Sequence, residues 1–118
     1  MSPSELKQRT KTFALRVIRA VNSLPQNRTA DVLGKQLLRC GTSVGANYRA
    51  ACRARSRADF VSKMSIVLEE SDEAAYWMEL LVEAGLVREH KMTELHSEAC
   101  ELVAIVVASI NTAKRRRS

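Results

Sequence analysis

The side chains with the clearest chemical potential in this 118-residue chain are arginines. Arg49, Arg53 and Arg57 follow one another in steps of four. On a continuous helix that spacing puts them on one face, because each residue turns the chain by about 100°. A guanidinium stays charged at any physiological pH, and its planar fork of donors fits two phosphate oxygens at once. Arg55 lies among them, and no acid intervenes between Arg49 and Asp59. Arg39, fourteen residues before Arg53, falls within about 40° of the same face by helical geometry. A second basic run occupies Lys114, Arg115, Arg116 and Arg117. The chemistry implied is electrostatic capture of a phosphate polymer, RNA or single-stranded DNA, with contacts governed by charge and shape. A solvated helix end balanced by acids elsewhere is the competing reading of the same residues.

Other chemistries lack their residues. Di-iron bundles use Glu-x-x-His pairs, whereas Val87 and Thr93 stand three before His90 and His96. Glu69, Glu70, Asp72, Glu73, Glu79 and Glu83 crowd one segment, and paired carboxylates can bind hard cations. Glu69 with Glu73, and Glu79 with Glu83, are however like charges at i,i+4, which repel on an isolated helix. Lys or Arg from a neighbouring helix or subunit is therefore expected to face them, in preference to a metal. Gly41 to Gly45 lacks the Lys-Ser/Thr ending of a phosphate-binding loop. Cys40, Cys52 and Cys100 form no C-x-x-C spacing, and free thiols of this kind point to a reducing cytosol. The chain is read as a non-enzyme with no catalytic, cofactor-binding or metal-binding set.

The elements that must position the arginines are helical. Hydrophobic residues make up 46%, with only four Gly and two Pro, and nineteen Lys+Arg stand against thirteen Asp+Glu for a net charge of +6. That balance favours a polyanionic partner. Ser2, Pro3 and Glu5 read as the cap of a first helix, with Leu6, Phe13, Val17, Ala20 and Leu24 as its stripe and Pro25 as its stop. A second helix is expected from about Thr29 to Arg55, with Leu33, Leu37, Cys40, Val44, Asn47 and Ala51 on one face. Gly34, Gly41 and Gly45 inside it each cost roughly 1 kcal/mol relative to alanine, which implies either close approach of another helix or a kink near Gly41. Ser56 and Asp59 form the next capping box. The third helix then carries Phe60, Met64, Val67, Ser71, Ala74, Met78 and Leu81 in steps of four and three, with Gly85 as its C-terminal cap. A fourth helix is expected from about Lys91 to Ala113, with Met92, Leu95, Ala99, Leu102, Val103, Val106 and Ile110 inward. The fold expected is all-α: an antiparallel up-and-down four-helix bundle over residues 1–113, with a basic tail at 114–118. The N-terminus has no secretory-signal layout, and the run Leu102 to Ala108 is far shorter than the ~20 residues that span a bilayer. A soluble, cytoplasmic protein with no membrane partner is expected.

From Gln36 to Leu81 the chain resembles a known family. Gln36, Arg39, Ser43 and Asn47, followed by RSRADFVSKMSIVLEESDEAAYWMELL over Arg55–Leu81, are similar to bacterial four-helix bundle proteins. Some of these are encoded within intervening sequences of 23S ribosomal RNA genes. A related branch comprises the accessory proteins of diversity-generating retroelements. The resemblance implies a ring-like homo-oligomer, commonly a pentamer, without enzymatic activity. For the accessory branch it implies binding to nucleic acid and to a reverse transcriptase. Many relatives read Asn-Ile-Ala-Glu-Gly where this chain has Asn47-Tyr48-Arg49-Ala50-Ala51, so an acid is lost and Arg49 gained. The leading expectation is a homo-oligomer that binds RNA or single-stranded DNA through Arg39, Arg49, Arg53, Arg57 and Lys114–Arg117. The alternative is a protein-interaction scaffold that docks a partner such as a reverse transcriptase, its arginines serving internal charge balance.

Overall fold

Three of the four helices begin where a short polar side chain takes an otherwise unpaired amide. The computed structural model describes residues 1–116, with α1 at Pro3–Asn22, α2 at Arg28–Ala51, α3 at Arg57–Glu83 and α4 at Glu89–Arg115. At α1 the Ser2 hydroxyl accepts from the Glu5 amide and the Glu5 carboxylate accepts from the Ser2 amide, both at 3.1 Å. Asn27 Oδ1 accepts from the Ala30 amide at 2.8 Å, and Ser56 Oγ from the Asp59 amide at 3.0 Å. Only α4 starts without a side-chain cap. The end of α3 depends on Gly85, whose φ of +77° lets the Leu86 amide reach Leu81 O and the Gly85 amide reach Val82 O, each at 3.0 Å. Among the described residues there is no strand.

Consecutive helices run antiparallel, forming a rod of 52 × 20 × 20 Å. α2 and α3 make the most extensive pairing, α1 lies on α2 and α4 on α3, and α1 meets α4 least. The seams predicted from spacing form one core: Phe13 and Val17 from α1, Leu37 and Val44 from α2, Met64, Val67, Met78 and Leu81 from α3, and Leu102 and Val106 from α4 are all fully buried. The glycines of α2 serve close approach, and the helix continues through them. A Cβ on Gly41 would stand 2.7 Å from both Cγ atoms of Val17, and one on Gly45 would stand 3.2 Å from Thr10 Oγ1. Thr10 is itself buried and returns its hydroxyl proton to Leu6 O at 2.9 Å.

Three helix boundaries differ from expectation. α2 ends at Ala51 instead of Arg55. The Ser56 cap requires extended backbone there (φ −156°, ψ 167°), and an antiparallel reversal needs several residues between helices. The Arg53 and Ala54 amides accordingly close tight turns onto Ala50 O and Ala51 O. Arg49, Arg53 and Arg57 therefore do not form a row on one helix face. Arg49 lies in the last turn of α2, Arg53 in the connection, and Arg57 at the first residue of α3. α4 in turn runs from Glu89 through Arg115, two residues longer at each end than the periodicity suggested.

Candidate nucleic-acid interface

The reversal after α2 turns a linear arginine run into a corner. Because α1 and α3 begin, and α2 and α4 end, at the same end of the rod, Lys114, Arg115 and Arg116 join Arg49, Arg53, Arg55 and Arg57 there. Arg57 and Lys114 line one surface depression, and Arg57 and Arg116 line another. All seven residues are exposed and none makes an ion pair within the described residues. The local acids are engaged elsewhere. Asp59 accepts from Lys63 Nζ at 2.7 Å and from the Arg55 amide at 3.2 Å, and these contacts hold its carboxyl below the usual range. Glu5 is held down in the same way by the Ser2 amide and hydroxyl. Over residues 1–7, 49–63 and 110–116 there are nine basic and two acidic side chains. At the opposite end, residues 19–35 and 79–94 hold five of each. The net charge is thus gathered at one pole.

Between the charged residues of this pole lies a groove of about 820 Å³, floored by Leu6, Tyr48, Phe60 and Ile105 with Arg57 and Arg116 at its rim. Tyr48 is 5% exposed and belongs to the core, so it offers no free ring for base stacking. Arg55, absent from the expected binding set, stands in the same corner. Its signal was the absence of any acid between Arg49 and Asp59. Arg117 lies outside the described residues.

Arg39 is placed differently. It sits ten residues, about 15 Å of helical rise, before Arg49 on α2, and its guanidinium reaches Glu70 Oε2 at 3.0 Å and Glu73 Oε1 at 2.9 Å across the α2–α3 seam. Trp77 Nε1 donates to the same Glu73 oxygen at 3.2 Å. The basic partner expected opposite the α3 acids is thus found for Glu73, and for Glu70 beside it, in Arg39 of the same chain, whereas among the described residues Glu69 and Glu83 make no ion pair. Cys40 Sγ completes a set of possible metal-ligand atoms with Glu70 and Glu73. Arg39 already pairs with both carboxylates, and burial, with the Glu73 carboxylate adding to it, pushes the Cys40 thiol up to about 12. A thiol in that environment holds its proton and makes a poor ligand.

These joints coincide with the residues that carried the resemblance. Asn47 Nδ2 donates to Ser43 O at 2.9 Å, and Arg39, Glu70, Glu73 and Trp77 lock α2 to α3. A family model described as 23S rRNA-intervening sequence protein matches residues 3–108. The chain belongs to this family. A crystal structure from Bacteroides thetaiotaomicron, described as a protein with unknown function from the S23 ribosomal protein family, has the same fold. Its TM-score is 0.87 at 33% sequence identity, covering 94% of this chain and 99% of that one. A search of the curated proteins finds no match. Arg49 to Arg57 fall inside the matched stretch and Lys114 to Arg116 beyond it. Among the described residues no helix is long and apolar enough to cross a membrane.

Proposed function

We propose that this chain is a non-enzymatic, self-assembling protein whose basic pole binds RNA or single-stranded DNA. One observation carries the reading: seven exposed cations from two chain segments meet at one end without an ion-pair partner among the described residues. Like charges held together by a rigid scaffold repel, and a polyanion relieves that repulsion while releasing its own counterions. Tyr48 is buried and the exposed ring of Tyr76 lies nineteen residues along α3 from Arg57, away from the pole, so the reading is of phosphate contacts without base readout. Self-assembly is supported by apolar side chains left uncovered on the outer faces, among them Val107 and Ala108 of α4, Ile66 of α3 and Leu15 of α1. A pentamer is the state implied by family resemblance.

The test is titration of a labelled single-stranded RNA at several salt concentrations. If about four phosphates are neutralised, log affinity falls against log salt with a slope near −3. Affinity independent of salt, or no binding at low salt, contradicts the proposal. Light scattering on the R49E/R53E/R57E variant separates this reading from the scaffold alternative. Nucleic-acid binding is lost with the oligomer intact if the arginines contact phosphate, whereas assembly itself fails if they serve internal charge balance.

A further inference from the structure

Away from the basic pole, three side chains of α3 and α4 meet across the seam between the two helices. His96 and Cys100 are four residues apart on α4, so they project from one face of consecutive turns. Cys100 Sγ lies 3.8 Å from His96 Nδ1. On its far side the same ring meets Glu79 Oε2 of α3, 2.8 Å from His96 Nε2. A carboxylate can only accept, so a neutral ring paired with Glu79 carries its proton on Nε2 and turns the bare lone pair of Nδ1 toward Cys100.

From this geometry we propose that His96 Nδ1 and Cys100 Sγ chelate a borderline-soft divalent cation, with Zn²⁺ as the representative case. Bond lengths of about 2.3 Å to sulfur and about 2.0 Å to nitrogen at a tetrahedral angle separate the two ligand atoms by about 3.5 Å, close to the spacing already present. Glu79 supplies the outer-shell carboxylate that fixes the tautomer and orientation of a metal-bound histidine. Binding forms one M–S and one M–N bond and releases the Cys100 thiol proton to solvent, and water fills the remaining positions. Access exists: Cys100 is exposed, and the His96 ring borders an open cleft of about 350 Å³ between Glu79, Met92 and Ser97. A thiolate–imidazole pair selects zinc and its neighbours over magnesium or calcium, which prefer oxygen donors. This site is independent of the nucleic-acid reading.

The experiment is titration of the reduced full-length protein with Co²⁺, free of thiol reductants, following the near-ultraviolet thiolate-to-cobalt charge-transfer band and the visible d–d bands. The bands are expected to saturate at one cobalt per chain and to be bleached by Zn²⁺. Cys100→Ser removes the charge-transfer band, His96→Asn weakens binding at least tenfold, and Glu79→Gln weakens it about 10–100-fold, with helix content by circular dichroism unchanged in each. Cys52→Ser leaves the bands intact. Alkylation of Cys100 in the folded wild-type chain removes the charge-transfer band without any substitution. Absence of the bands at millimolar cobalt, survival of the charge-transfer band in Cys100→Ser, or an undiminished affinity in His96→Asn overturns the proposal.

Discussion

The arginines of the waist and those of the pole have the same chemistry and opposite circumstances. Arg9 is gripped by Glu98 through two 2.7 Å bonds and touches Glu101 at 3.1 Å, tying α1 to α4 where the two helices pack least. Arg39 does the same for α2 and α3. At the pole, Arg49, Arg53, Arg55 and Arg57 make no ion pair although two carboxylates stand nearby, because Ser2, Lys63 and the Arg55 amide already occupy those carboxylates. A guanidinium faced by acids on a neighbouring helix is a fastener. One whose neighbouring acids are engaged is available to a partner outside the chain. Composition cannot separate the two uses; pairing can.

That contrast can be broken at either end. The largest effect is expected from reversing the pole: R49E/R53E/R57E should weaken single-stranded RNA binding about 100-fold at low salt, while reversal of Arg19, Arg28 and Lys35 at the balanced pole leaves it unchanged. Equal losses from both variants would erase the distinction between the poles. Next comes Arg9→Ala. Arg9 and Glu98 are only 26% and 14% exposed in their side chains, and charge-assisted hydrogen bonds of this kind contribute about 1.5–3 kcal/mol. A loss of about 2 kcal/mol in urea unfolding is expected, with RNA binding retained.

Arg39→Ala should destabilise less than Arg9→Ala in the same urea assay, since the Arg39 side chain is 51% exposed and its pairs are screened by water. The reverse order would mean that α2–α3 closure, instead of the α1–α4 joint, is the weaker point. Arg53→Ala should move stability by no more than about 0.5 kcal/mol, and a larger loss would show that the pole arginine is a fastener after all.

A pH series sharpens the contrast from the acidic side. Glu5 and Asp59 have folded-state values below their unfolded ones. Their contribution is complete above the unfolded values and is lost as pH falls through the folded ones. Acid should therefore loosen the starts of α1 and α3, both at the basic pole, before the Asn27-capped start of α2. Amide exchange below the ordinary carboxylate range reads the order directly.

Much of the bundle was legible in the chain because its causes are local. Ser2 with Glu5 and Ser56 with Asp59 mark helix starts within four residues, and the α3 stripe from Met64 to Leu81 repeats at the helical period. The glycines 34, 41 and 45 announced a close approach without naming Val17 or Thr10 as what approaches. The end of α2 was misread because helical periodicity persists through Arg53, whereas the chain must reverse before the Ser56 cap. The His96–Cys100 pair was visible as a spacing of four, but its geometry depends on Glu79, seventeen residues before His96 and on another helix.

By itself, the sequence determined that four amphipathic helices would form, where three of them begin, and that positive charge would exceed negative. Those outcomes rest on backbone geometry and on neighbours within a turn or two. Only the tertiary structure decided which charges are paired. Antiparallel closure carried Arg39 to Glu70 and Glu73, and Arg9 to Glu98, and it brought residues 49–57 beside 114–116 with no carboxylate left for them. Coulomb energy depends on distance through space, and residues far apart in the chain become neighbours only when the helices pack.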